Sequence, residues 1–200
     1  MKKQVALSTF VALAAGALIV SSAGMPLLAQ SGQRAGGAKP AASATSASKD
    51  AAFMRTAADD GMAEVDHGQL ATQNASSADV KQFAQRMVDD HGKANDELKG
   101  LASQKNVTLP AEMSAKHKAM HEKLAKLKGD AFDAAYMSHM VTAHAQAVAL
   151  FQKEAKGGAD PDAKAWAAKT LPTLQEHHKM ARSISGKVKG ASKPKSPKSK

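Results

Sequence analysis

The sequence predicts an all-α protein, and three observations support this fold class. Apolar residues recur at steps of three and four through most of residues 50–185, where no alternating pattern of β-branched residues is present. The same region is rich in strong helix formers, namely Ala, Leu, Met, Lys and Gln. Capping and turn residues divide it into segments of helical length. We therefore expect a helical bundle.

Turn signals place the first two long helices. The run NASSADV supplies a turn after a first helix expected at about 50–75. Ser77 is a suitable N-cap for a second helix, expected over about 78–105. Together these segments predict an antiparallel hairpin.

A short helix and a second long pair follow. The short helix is expected over 111–128, and a third long helix over about 130–156, before a Gly-Gly pair. Asp160 is a suitable cap for the fourth, with Pro161 at the first helical position. Pro172 inside this helix predicts a kink.

The ends of the chain differ in composition from the helical region. Residues 1–29 combine two lysines, an apolar run and a small-residue ending, which predicts a secretory signal peptide, with an uncleaved anchor as the alternative. Residues 30–49 are small and polar, as in flexible linkers, and residues 186–200 form a Lys/Pro/Ser tail expected to be disordered. We expect an exported or periplasmic protein that has no transmembrane segment after cleavage, with its bundle domain over 50–185.

The net charge of +10 is concentrated at the ends of the chain. Two lysines lie in residues 1–29 and six in the last 16 residues, which leaves +2 on residues 30–184. The basic tail suggests anionic cell-envelope polymers as partners, and a merely solubilising tail is the alternative. We expect no specific nucleic-acid partner, because an exported protein meets envelope anions first.

Each long predicted helix carries one potential metal ligand in its apolar stripe. These residues are Glu64, His91, His144 and His177. With a rise of 1.5 Å per residue, each lies about 18–28 Å from the turn of its hairpin, which is near mid-height in helices about 39 Å long. Burying such groups together is costly unless a metal compensates. The sequence therefore predicts one divalent transition metal, Zn, Cu or Fe, and hydrogen-bonded core residues without metal are the alternative.

Other polar residues have secondary predicted roles. Without a metal, Glu64 is expected to pair with a protonated histidine. The candidates to hold the imidazoles by hydrogen bonds are Asp90, Asp133 and Tyr136. His67 is expected at the surface. His117 and His121 lie four residues apart on the short helix, a spacing that can bind a metal, but we expect both at the surface of this lysine-rich segment. Two further histidines lie one position off the stripes and are alternative ligands: His139 and His178.

The sequence contains no motif for nucleophilic catalysis. It has no cysteine, no GxSxG turn and no Gly-rich phosphate loop. We predict no catalytic residue and no site for an organic cofactor. A metal-dependent redox enzyme, such as one that consumes peroxide, remains an alternative to simple metal binding.

Three stretches of the sequence resemble an exported bacterial family. They are DAAFMRTAADDGMAEVDHGQLATQNASSADVKQFAQRMVDDHGKANDELKGLA, LKGDAFDAAYMSHMVTAHAQAVALFQKEA and LPTLQEHHKMA. They resemble the domain-of-unknown-function family 4142, whose members are often labelled as outer membrane proteins. The resemblance implies a ferritin-like four-helix bundle, with the short helix in the crossover between the second and third long helices.

The ferritin-like class further implies metal chemistry, from which this sequence departs. Di-iron bundles use Glu-x-x-His on two helices, but Val88 stands three residues before His91, and Leu174 stands three residues before His177. A mononuclear, histidine-rich centre therefore fits better than a di-iron one. We expect metal binding, with a role in envelope stress protection. The alternative is a non-catalytic envelope protein tethered by its basic tail.

Overall fold

The predicted helical periodicity corresponds to five helices in the computed structural model, which describes residues 41–191. The helices are α1 (Ala41–Asn74), α2 (Ala78–Gln104), α3 (Ala115–Ala125), α4 (Gly129–Gly157) and α5 (Pro161–Ala191). The described residues contain no strand, so the all-α class is confirmed. The predicted signal peptide, most of the linker and the end of the tail lie outside the described residues.

Two helices extend beyond the predicted bounds of the bundle. α1 begins at Ala41, inside the segment expected to be a linker, because residues 41–49 lack Gly and Pro and contain four alanines, the strongest helix former. α5 passes through Pro172 and continues to Ala191. Near this end the Lys187 ammonium lies 2.7 Å from the Asp79 carboxylate at the start of α2. Composition alone did not indicate this contact.

The long helices form two hairpins joined by a lengthwise connection. α1 packs against α2, and α4 packs against α5. After α2, Lys105 pairs with Asp160 in the α4–α5 turn, at 2.7 Å. Before α4, the Leu127 carbonyl accepts a hydrogen bond from the Asn74 amide at the α1–α2 turn, at 3.3 Å. The connection that contains α3 therefore runs from one end of the hairpins to the other.

Each hairpin turn is capped by a buried carboxylate from the other hairpin. Asp133 of α4 accepts hydrogen bonds from the backbone N–H groups of Ser76 and Ser77, at 3.2 and 2.8 Å. Asp50 of α1 accepts them from Ala159 and Asp160, at 3.1 and 2.7 Å. The prediction that Asp133 holds an imidazole is therefore wrong, because its carboxylate is used to cap this turn.

Apolar packing occurs in two clusters at different heights of the bundle. One cluster, near the α1–α2 turn, is built around Phe83, Phe132, Tyr136 and Met140. The other, near the α4–α5 turn, is built around Phe53, Leu98, Phe151 and Trp166. In each long helix, one residue between the two clusters is a predicted metal ligand. The two apolar clusters thus leave a polar layer at mid-height. No helix among residues 41–191 is long and apolar enough to cross a membrane.

We predict opposite effects of Ala at two glycines because α1 and α2 approach closely at Gly68. A Cβ atom there would lie 3.0 Å from both the Ala84 carbonyl oxygen and the Val88 side chain, whereas one at Gly100 of α2 would meet nothing within 4 Å. Gly68→Ala should lower the free energy of unfolding by about 1–3 kcal/mol through overpacking. Gly100→Ala should raise it by about 0.5–1 kcal/mol through helix propensity. Urea unfolding followed by circular dichroism measures both, and equal stabilities would contradict the close approach.

Candidate metal centre

The four predicted ligands all lie in the polar layer between the two apolar clusters, but only the three histidines form a group of mutually close ligand atoms. Glu64 of α1, His91 of α2, His144 of α4 and His177 of α5 are all at most 9% exposed. One nitrogen from each histidine lies within 4.8 Å of those of the other two. The Glu64 carboxylate oxygen Oε1 is 3.8 Å from His144 Nδ1. Residues that are far apart in the sequence therefore converge at one height.

The three imidazoles surround a common point. Their ring centroids are 5.6 Å apart for His91 and His144, 5.5 Å for His91 and His177, and 5.4 Å for His144 and His177. The triangle is nearly equilateral, so no histidine is set back from the other two. The three rings are therefore close enough for one nitrogen of each to contact the same ion.

Hydrogen bonds outside the triangle select the tautomers of two histidines. His177 Nε2 donates to the Asp90 carboxylate at 2.9 Å, and His144 Nδ1 donates to the Met140 carbonyl at 3.1 Å. A neutral imidazole carries one N–H, so the other nitrogens, His177 Nδ1 and His144 Nε2, have free lone pairs. Both are buried without a hydrogen-bond partner, as is His91 Nε2. Imidazoles held by such outer hydrogen bonds are typical of metal sites.

Asp90 connects the centre to the surface. The Arg86 side chain, at 3.2 Å from Asp90, also pairs with Glu176 at 3.0 Å. Because the Asp90 carboxylate accepts the hydrogen bond from His177, the prediction that Asp90 holds an imidazole is confirmed. The Tyr136 hydroxyl, predicted for the same role, is buried without a hydrogen-bond partner among the described residues. Its contribution is the packing of its ring against Phe132, at a centroid distance of 5.6 Å.

Burial keeps the centre electrically neutral. It raises the pKa of Glu64 to about 8, with a smaller contribution from the negative charge of Asp60. It lowers the pKa of His144 to about 3 and that of His91 well below its usual value, and neighbouring imidazoles add to both effects. At pH 7 Glu64 is therefore protonated and these imidazoles are uncharged. The expected pair between ionised Glu64 and a protonated histidine is not favoured here.

The polar layer leaves several buried atoms without partners. These atoms are Glu64 Oε2 and the three imidazole nitrogens described above, and all four are shielded from solvent. Buried polar atoms in proteins are nearly always hydrogen-bonded, so a concentration of this kind needs an explanation. Three nitrogen donors and one carboxylate are a suitable ligand set for a divalent transition metal.

A second group of histidines surrounds the crossover helix and was not predicted. His67 is 0% exposed and His117 is 8% exposed, so the expectation that they lie at the surface is wrong. His117 Nε2 lies 3.1 Å from the Asp60 carboxylate, and His121 Nδ1 lies 2.5 Å from that of Asp66. His139, considered an alternative ligand of the centre, packs against His67 with a centroid distance of 5.3 Å. The four-residue spacing of the two α3 histidines was the available signal, but their aspartate partners lie on α1.

The fold and the centre together define a helical-bundle protein with a buried three-histidine site. The chain belongs to a family described as a domain of unknown function (DUF4142), whose sequence profile matches residues 35–184. The fold is similar to that in the crystal structure of a DUF305 fragment from Deinococcus radiodurans, with a TM-score of 0.62 and 13% identity. The similarity covers 70% of this chain and 96% of the fragment, and at this identity it concerns the fold alone. No curated protein matches the chain significantly.

We predict that acid destabilises the metal-free protein partly through His139. Burial lowers the pKa of this histidine from 6.5 to about 4, with neighbouring positive charges adding to the effect. Between these pH values the unfolded chain binds a proton that the folded chain does not, so stability falls as pH falls. In a chelating buffer, the loss between pH 7 and 4.5 should be smaller in His139→Gln by on the order of 2 kcal/mol.

Denaturant unfolding at both pH values measures this difference. Glu64 titrates in the opposite sense, since its raised pKa favours the folded state as pH falls from 8, but it is present in both proteins and cancels in the comparison. Equal acid losses in the two proteins would contradict the predicted role of His139.

Proposed function

We propose that this protein binds one divalent transition metal through Glu64, His91, His144 and His177. The observation that carries the proposal is the group of three buried histidines, each of which has one nitrogen within 4.8 Å of a nitrogen of the other two. Each histidine also has a buried nitrogen without a hydrogen-bond partner, and outer hydrogen bonds leave a free lone pair on two of these nitrogens. A core that used histidine only for hydrogen bonding would be expected to satisfy these atoms.

The chemistry of the donor set supports Zn, Cu or Fe. Imidazole nitrogen suits all three, and a carboxylate completes a four-donor site. A bound divalent ion would supply positive charge and, if redox-active, electron transfer. The side chains would then have separate roles: Glu64 would release its proton to solvent and provide a carboxylate beside His144, and Asp90 would hold His177 in the required tautomer.

We further propose a ferritin-like arrangement that has a mononuclear centre. The two hairpins and the lengthwise crossover support the ferritin-like topology. The ligand positions differ from a di-iron pattern, since His91 and His177 lack a glutamate three residues before them. A single histidine-rich ion therefore fits this chain better than a carboxylate-bridged pair of ions.

The cellular role follows from composition and is also a proposal. The composition of residues 1–29 supports export, which would place the metal centre in the cell envelope and suits a role in stress protection. The six lysines in the last 16 residues support attraction to anionic envelope polymers. Tethering by the tail and metal binding by the bundle are compatible, because they use different parts of the chain.

The adjacent residues His177 and His178 provide a matched test of metal binding. We expect the untagged protein to bind close to one Zn²⁺, Cu²⁺ or Fe²⁺ per chain, measured by elemental mass spectrometry after loading and dialysis. His177→Ala and His91→Ala should lose most of this metal, because each removes a buried ligand. His178→Ala should retain it, because His178 is outside the three-histidine group. Absence of metal from the unmodified protein, or equal loss in His178→Ala, would contradict the proposal.

Asp90 and Asp89 test the tautomer argument in the same way. Asp90→Ala removes the acceptor of the His177 N–H and should weaken metal affinity by about 10–100-fold. Asp89, exposed on the same helix, accepts a hydrogen bond from Gln85 at 3.0 Å, and Asp89→Ala should leave affinity nearly unchanged. Competition with a chelator of known affinity measures both variants. Equal affinities would mean that Asp90 does not prepare His177 for a metal.

A further inference from the structure

A cavity of about 230 Å³ lies against one side of the metal centre. Glu64 and His91 form part of its wall, whereas His144 and His177 do not. The cavity is thus adjacent to two of the four proposed ligands. A molecule bound there would lie beside the centre, between the long helices and the crossover helix α3.

Most of the accessible surface of the cavity wall is apolar, and its uncharged polar residues are Asn95, Thr142, Gln146 and Thr170. The large apolar side chains that line it are those of Met120, Phe151, Trp166 and Leu174. Charged and titratable groups other than the two centre residues occur towards α3, and they are Asp60, Lys116, His117 and His139. Water is poorly held by apolar walls, so the space favours an organic occupant.

Small residues keep this space open. Along α1, α2 and α4 the lining includes Ala57, Ala63, Ala94, Ala143 and Ala147. A bundle core normally closes to crystal-like packing density, and an unfilled space lowers stability. Several small residues that face one space beside a polar centre are therefore more consistent with a binding site than with a simple core.

We propose that the cavity binds a compact, uncharged, mainly apolar organic molecule. Its volume lies below the range of about 300–1,000 Å³ typical of pockets for drug-sized ligands, which restricts the occupant to a small molecule. A charged ligand against the apolar walls would lose its hydration, and the charged groups of the lining lie towards α3, where Asp60 already pairs with His117. The idea that this molecule is a substrate of the metal centre rests on the proposed function. The cavity itself is formed by the protein chain and does not depend on a bound metal.

Trp166 provides a direct reporter of binding. It lines the cavity and is the single tryptophan of the chain, so its indole N–H gives one signal in a ¹H–¹⁵N spectrum. The probes are toluene, benzoate and benzylammonium, which share one ring and differ in charge. We expect a saturable shift of the indole signal with toluene, and at least tenfold weaker binding of the two ions. Equal binding of the ions would overturn the assignment of an uncharged ligand.

Cavity-filling substitutions show whether toluene binds in this space. Ala147→Leu and Ala143→Leu add bulk to the lining and should abolish the saturable shift. Ala149→Leu, at an exposed position of the same helix, should retain it. Circular dichroism checks folding, and either filling variant suffices if the other does not fold. No saturable shift in the unmodified protein, or unchanged binding in a folded filling variant, would overturn the proposal.

The titrations are run with chelator and again with added Zn²⁺, which separates this inference from the proposed function. Toluene binding in a protein that takes up no metal would support the cavity site and contradict the metal centre. Metal uptake without toluene binding would leave the metal centre in place and overturn the cavity site.

Discussion

The reciprocal capping of the two hairpin turns fixes how the hairpins align along their length. Asp133 of α4 caps the α1–α2 turn, and Asp50 of α1 caps the α4–α5 turn. A slide of one hairpin along the other by a single helical turn, about 5.4 Å, would break both sets of hydrogen bonds. The same slide would move Glu64 and His91 away from His144 and His177. The convergence of the four helices on one centre therefore depends on contacts made at the ends of the bundle.

The polar layer separates the two apolar clusters of the core. The free-energy cost of burying its polar groups is limited because these groups are uncharged. A protonated Glu64 and uncharged imidazoles avoid the larger penalty of buried charge, but they leave atoms without hydrogen-bond partners. The two apolar clusters on either side hold the helices together. In this arrangement the long helices form a rigid scaffold, and the polar layer contains the buried titratable side chains. The Asp90 carboxylate accepts hydrogen bonds from His177 in the layer and from Arg86 nearer the surface, and so connects the two.

The sequence predicted the all-α class and the positions that converge, because both follow from periodicity within single helices. Glu64, His91, His144 and His177 each occupy an apolar stripe, and the fixed rise of a helix converts residue number into height. Features that depend on contacts between distant segments were not predictable in this way. His117 is buried because Asp60 lies 3.1 Å away on α1, and Asp133 caps a turn more than 50 residues earlier in the chain. The cavity likewise depends on the spacing between helices, which no single stripe determines.

The crossover helix α3 forms part of the cavity wall but is not part of either hairpin. The buried side chains of α3 are those of His117 and Leu124, whereas each hairpin is formed by contacts between its own two long helices. Its residues Lys116, His117 and Met120 nevertheless form one wall of the cavity. Substitutions in α3 could therefore change this wall of the cavity while the three-histidine group and both hairpins stay the same. In evolutionary terms, part of the cavity wall can vary without any change to the three-histidine group.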